Sequence, residues 1–212
     1  MLRRHKQGLQ KGDTLIEVLF AFTILSMVIV GAMSIMNQGT IASQRALETT
    51  LVRGQIDAQA TTLRFLHDSY VAKFQPNFTS YDAATPAGQW FAMTSAITAP
   101  SSTSFANLSA CPSPPNGSFI LDAANAKYKP LVPSTNSIPA ITYSQVTYDP
   151  ISNVLKDAQG IWIEATRSVA SGDANQDNTR YIDFHIMACW DNPGQGPPMT
   201  IGTIVRLYEP RS

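Results

Sequence analysis

The spacing of apolar residues changes along this chain, and each spacing predicts a different element. From Val18 to Met36 no side chain is charged and no proline occurs. As a helix rising about 1.5 Å per residue, that run reaches roughly 30 Å, the hydrocarbon thickness of a bilayer. Farther on, Leu47, Leu51/Val52, Ile56, Ala60, Leu63, Leu66, Tyr70 and Phe74 recur every few positions with polar residues between them. Such a stripe marks one face of an amphipathic helix. The first proline is Pro76, so a single helix of about 60 residues is predicted, with Gly39 and Gly54 as its bending points. The stripe lacks sustained heptads, which favours packing on a sheet over a coiled-coil stalk. Residues 76–118 show no period; they are expected to form short helical turns packed through Trp90, Phe91 and Phe105. From about residue 119 the period becomes two. Ile141-Thr142-Tyr143, Val146-Thr147-Tyr148, Ile161 to Thr166, Tyr181 to Trp190 and Ile201 to Tyr208 read as strands joined by Gly, Pro and Asn. This pattern predicts an antiparallel meander over about 119–209, whose apolar face needs a cover that the helical stripe supplies. The fold class is therefore α+β: a long N-terminal α-helix, membrane-spanning in its first part, packed against a C-terminal antiparallel β-sheet.

Charge decides how the apolar run is oriented. Arg3, Arg4, Lys6 and Lys11 precede it, with no acidic residue among them. Basic flanks stay on the cytoplasmic side, so a single-pass helix with its N-terminus inside and everything after Met36 outside is expected. A cleavable secretory signal would instead place a small-residue site after a shorter apolar core. Beyond Met36 the chain continues with Asn37-Gln38-Gly39-Thr40 and more helix pattern.

Glu17 is the anomaly, because a carboxylate within a membrane segment costs about 2.5–3.5 kcal/mol on insertion scales. A local reading makes Thr14-x-x-Glu17 a capping box at the helix start. A wider one takes in the residues around it. Gly12-Asp13-Thr14-Leu15-Ile16-Glu17-Val18-Leu19, behind its basic leader, resembles the class III signal of type IV pilins and type II secretion pseudopilins. The two readings are compatible. The resemblance covers about the first 40 residues closely. It implies a pilin-like fold, cleavage by a prepilin peptidase directly after Gly12, and Asp13 as the new, usually methylated, N-terminus. It also implies that Glu17 is the assembly carboxylate that pairs with a neighbouring subunit's terminal amine. The chain departs from the family at Asp13, where Phe or Met is usual, and in lacking a proline in the apolar helix. Asp13 and Glu17 share one helical face and repel, an effect that the amine of residue 13 would offset.

The resulting organisation is a cleaved leader over 1–12, a transmembrane and assembly helix over 13–36, its continuation over 37–75, and a globular pilin-like region over 76–212. The implied function is that of a structural subunit, a minor pilin, of a type IV pilus-like filament. Its partners would be other pilin subunits and the prepilin peptidase. The precursor would lie in the cytoplasmic membrane and the mature form in an extracellular filament. The alternatives are a pseudopilin of a type II secretion or DNA-uptake system, a filament-borne adhesin or DNA-binding module, or a signal-anchored protein that never polymerises.

Composition adds three points. The whole chain carries 15 basic and 15 acidic residues; losing the four basic residues of the leader leaves 11 against 15, a net of −4. No bulk-charge signal for nucleic acid results. Cys111 and Cys189 form an even pair on the outer side, which favours a disulfide. Their rival reading is a metal site, since His185 and Cys189 share a strand face. Asp173, Asn175 and Asp177 match the opening of a calcium loop. The glycine expected at its sixth position is Asn178, and Phe184 stands where the bidentate Glu belongs. A polar hairpin connection is the simpler reading. Calcium remains the alternative because pseudopilins of the major type, which the chain resembles, bind it near a C-terminal loop. No other cofactor is implied. Nucleophile elbow, phosphate loop and zinc-helix patterns are absent from the sequence, and no enzymatic activity is expected.

Overall fold

A computed structural model describes residues 13–75, 80–97, 103, 105, 109–168, 180–194 and 196–210, with residues 13 and 14 described by backbone alone. Helix α1 (Asp13–Lys73) is 61 residues long. It continues without interruption through Gly31, Gly39 and Gly54. Thr14 lies inside α1, so it is not the N-cap expected of a capping box with Glu17. The chain divides into two compact units, residues 1–44 and 45–212.

The second unit is an α+β domain. A five-stranded antiparallel sheet has the order β2-β1-β6-β7-β8. Its strands are β1 (Phe119–Asp122), β2 (Lys127–Pro130), β6 (Ile161–Arg167), β7 (Tyr181–Trp190) and β8 (Met199–Tyr208). The expected meander is the β6-β7-β8 part, and Tyr181 to Trp190 alternates as its period of two requires. Ile182, Phe184, Ile186, Ala188 and Trp190 enter the main core, whereas Met187 and Cys189 face the other side.

Along α1 that core is met by Val52, Ile56, Ala60, Leu63 and Leu66, all buried. The stripe starts later than its spacing predicted: Leu47 is 61% and Leu51 40% exposed. Two polar residues of α1, Gln59 and Thr62, are buried with it, and the Thr62 hydroxyl turns back onto Ala58 O at 2.8 Å. Gln59 is buried, its amide donates to Leu121 O at 2.9 Å, and its carbonyl accepts from Leu121 N at 2.9 Å. Strand β1 meets β6 only at Phe119↔Ile163, so the helix side chain satisfies backbone groups that no strand reaches.

Residues 76–118 contain more helix than short turns. Helix α2 (Pro86–Ser95) has Thr85 as N-cap, its hydroxyl accepting from Gly88 N at 3.2 Å, and a proline in its first turn. It drives Trp90 and Met93 into the core, where the Trp90 and Phe184 rings lie 5.5 Å apart.

A second, three-stranded sheet, β3-β5-β4, was not expected. Its strands are β3 (Ser137–Ile138), β4 (Gln145–Tyr148) and β5 (Leu155–Gln159), and β3 runs parallel to β5. Ile141-Thr142-Tyr143, read as strand from its alternation, forms a bend with Ile141 largely exposed. The chain passes from β5 to β6 through Gly160 at φ +61°, where an added Cβ would overlap Cys189 O. Only glycine suits both constraints.

Candidate functional site

In the first unit, every described side chain from Leu15 to Met36 is exposed. These include Phe20, Phe22, Ile24, Met27, Val30, Ile35 and Met36. Helical hydrogen bonds satisfy the backbone, and the hydroxyls of Thr23 and Ser26 turn back onto Phe20 O (2.8 Å) and Thr23 O (2.9 Å). The outward surface is thus almost wholly hydrocarbon. By length and composition this helix is able to cross a membrane. Glu17 sits near its start, exposed, with Phe20 and Ala21 one turn farther along. Gly12 and the side chain of Asp13 lie outside the described residues. The expected cleavage site and the expected acid pair therefore rest on the sequence.

Cys111 and Cys189 are joined, with sulfurs 2.06 Å apart and Cα atoms 5.6 Å apart. The bond removes Cys189 as a metal ligand, and among the described residues no cluster of three or more His, Cys, Asp or Glu side chains could hold a metal. Asp173, Asn175 and Asp177 fall outside the described residues.

The disulfide fastens residues 109–118 over the sheet's second face. There Trp162, Met187 and Cys189 form a small core with Phe105, Cys111 and Leu131. Glu164 is buried beside it, accepting from Trp162 Nε1 at 2.6 Å and from Thr103 N at 2.7 Å. Ser144 Oγ lies 2.9 Å from Gly160 O and 3.0 Å from Cys189 O, tying the strand crossover to the disulfide. A cavity of about 190 Å³ opens alongside, lined by Pro112, Pro114, Ser134, Ser137 and Trp162 among others.

On the outer face of β7 and β8, Arg206 donates to both Asp183 carboxylate oxygens, at 2.7 and 2.8 Å, and lies 3.9 Å from the Tyr181 ring centre. The hydrogen bonds from Arg206 hold the Asp183 carboxyl below its ordinary range and push the guanidinium higher still. Sequence reasoning did not single out this clamp or Glu164. The signal for the clamp was the matching alternation of the two strands, which sets Asp183 opposite Arg206.

In comparisons with protein-family models, curated proteins and solved structures, nothing matches this chain.

Proposed function

We propose that this chain is a structural subunit of a type IV pilus-like filament, a minor pilin, inserted as a membrane precursor and cut by prepilin peptidase after Gly12. The observation that carries the reading is the surface of α1 from Leu15 to Met36, apolar on every side, with the Glu17 carboxylate near its start. Such a surface needs either lipid or other helices around it. Lipid supplies no partner for Glu17, and an unpaired charge costs up to about 2.5–3.5 kcal/mol, the value at a membrane helix's centre. A bundle of like helices supplies the same apolar cover and, through a neighbour's terminal amine, a counter-charge. Glu17 then favours assembly over remaining in the membrane. The Cys111–Cys189 disulfide suits an exported, oxidising compartment.

Intact-mass and N-terminal analysis of the protein from membranes and shed filaments tests the processing step. A start at Asp13 is expected, with the methyl state visible in the same spectrum. A start at Met1 in a host with active peptidase would sink the assignment. For assembly, Glu17→Ala should leave the protein in the membrane fraction and remove it from sheared filaments. Unchanged incorporation would instead favour a signal-anchored protein that does not polymerise.

A further inference from the structure

The two edges of the five-stranded sheet are guarded differently. Strand β2 is four residues long, carries the exposed Lys127 and ends at Pro130, while its other lysine, Lys129, is drawn onto Leu155 O. Shortness, lysines and proline are what keep an edge from pairing with other chains. Strand β8 runs for ten residues, MTIGTIVRLY, with no proline and one charged residue, Arg206. That charge is no guard, because its guanidinium is drawn back over β7 onto Asp183 and Tyr181, away from the edge.

The ladder tells which backbone groups are open. Glu209 N donates to Arg180 O at 2.9 Å, and Tyr181 is opposite Tyr208. Bonded and non-bonded pairs alternate in an antiparallel ladder. The backbone groups of Met199, Ile201, Thr203, Val205 and Leu207 therefore turn toward β7, and those of Thr200, Gly202, Ile204, Arg206 and Tyr208 turn outward. Tyr208 O is taken, accepting from His67 Nε2 at 2.8 Å. Among the described residues, no partner meets the outward groups of Thr200, Gly202, Ile204 and Arg206.

We propose that this edge pairs antiparallel with the same edge of a second copy of the chain, Gly202 of one copy opposite Ile204 of the other. This register also sets Thr200 against Arg206, so the four open residues satisfy one another through about eight backbone hydrogen bonds. No like charges are opposed. Ile204, 60% exposed, lies over Gly202 of the other copy. A Cβ added at Gly202 would meet only ordinary contacts, Ile186 O at 3.4 Å and Met187 Sδ at 3.5 Å, so the space to receive a side chain exists. Sliding the register one way sets Arg206 against Pro198, which has no amide hydrogen. Sliding it the other way requires the Tyr208 carbonyl that His67 holds. A strand edge buries less than the roughly 1,000 Å² of a stable soluble interface, so the pairing acts where copies are concentrated in one layer. It depends neither on cleavage after Gly12 nor on filament formation.

The test co-expresses full-length Gly202→Cys and Ile204→Cys chains in one membrane and applies mild oxidation, reading dimers on a non-reducing gel. The mixture should give a disulfide-linked dimer in roughly tenfold higher yield than either variant alone. Equal yield from one variant alone, or no dimer from the mixture while Cys111–Cys189 is intact, would overturn the register. Adding Thr200→Pro to both chains removes an amide that points outward and leaves the β7 ladder whole. It should cut the yield roughly tenfold, and an unchanged yield would refute backbone pairing at this edge.

Discussion

Gln59 illustrates what a single residue decides and why its role is hidden in sequence. By period it belongs to the helix's core face, yet a glutamine there reads as a break in the stripe. Its value lies in a pair of hydrogen bonds to Leu121, a residue 62 positions away, and no local pattern announces such a partner. Asp183 was equally silent, being one polar position of an alternating strand until β8 places Arg206 opposite it. Its carboxyl is held below the ordinary range chiefly by the hydrogen bonds from Arg206. A carboxylate depressed on folding contributes stability above its unfolded value, and that stability is lost as pH falls through the folded value. Native and Asp183→Asn chains should therefore differ in urea midpoint at pH 7, the native being more resistant. The difference should shrink progressively from about pH 4 downward. A gap that stays constant between pH 7 and pH 2 would show that the clamp contributes through packing alone.

At the scale of elements, legibility followed how strongly one face is buried. Strand β7 places every second residue in the core and was readable, as was the stripe from Val52 to Leu66. Strand β5, LKDAQ, buries only Leu155, Ala158 and Gln159 and has no clear alternation. Its parallel partner β3 is two residues long. Conversely, Ile141-Thr142-Tyr143 alternates but pairs with no strand among the described residues. The second face of the large sheet was also missed, since a loop covers it and residues 76–118 carry no period. What fastens that loop is Cys111–Cys189, closing a separation of 78 residues. On the chain-entropy model such a closure is worth about 4–5 kcal/mol. Reducing the full-length protein in detergent should lower its unfolding free energy by about that amount. The loop should loosen first, with the emission of buried Trp162 moving to the red below the main transition. Coincident changes in fluorescence and far-ultraviolet dichroism would mean that loop and sheet remain one cooperative unit after reduction.

On the scale of the whole molecule, the division at Gln44/Arg45 separates two kinds of stability. All residues of the main core, from Val52 to Val205, belong to the second unit. So do the contacts made where that unit begins: Arg45 Nε donates to Asn192 Oδ1 at 2.8 Å, and Trp190 Nε1 donates to Glu48 Oε2 at 3.0 Å. Among the described residues, none before Arg45 belongs to that core. The described side chains of the first unit up to Met36 are apolar surface without cover, apart from Glu17 and a few small polar groups. The apolar run and its acid were legible because membrane-length hydrophobicity and a misplaced charge are local facts. A protein beginning at Arg45 should consequently be soluble without detergent. It should keep the Cys111–Cys189 bond and unfold with a midpoint within about 4 °C of the full-length chain in detergent, a shift corresponding to about 1–2 kcal/mol at most. Calorimetry of the two proteins tests this. A much lower midpoint for the shortened chain would mean that the helix before Arg45 stabilises the domain, and its exposed surface would then have an intramolecular purpose as well.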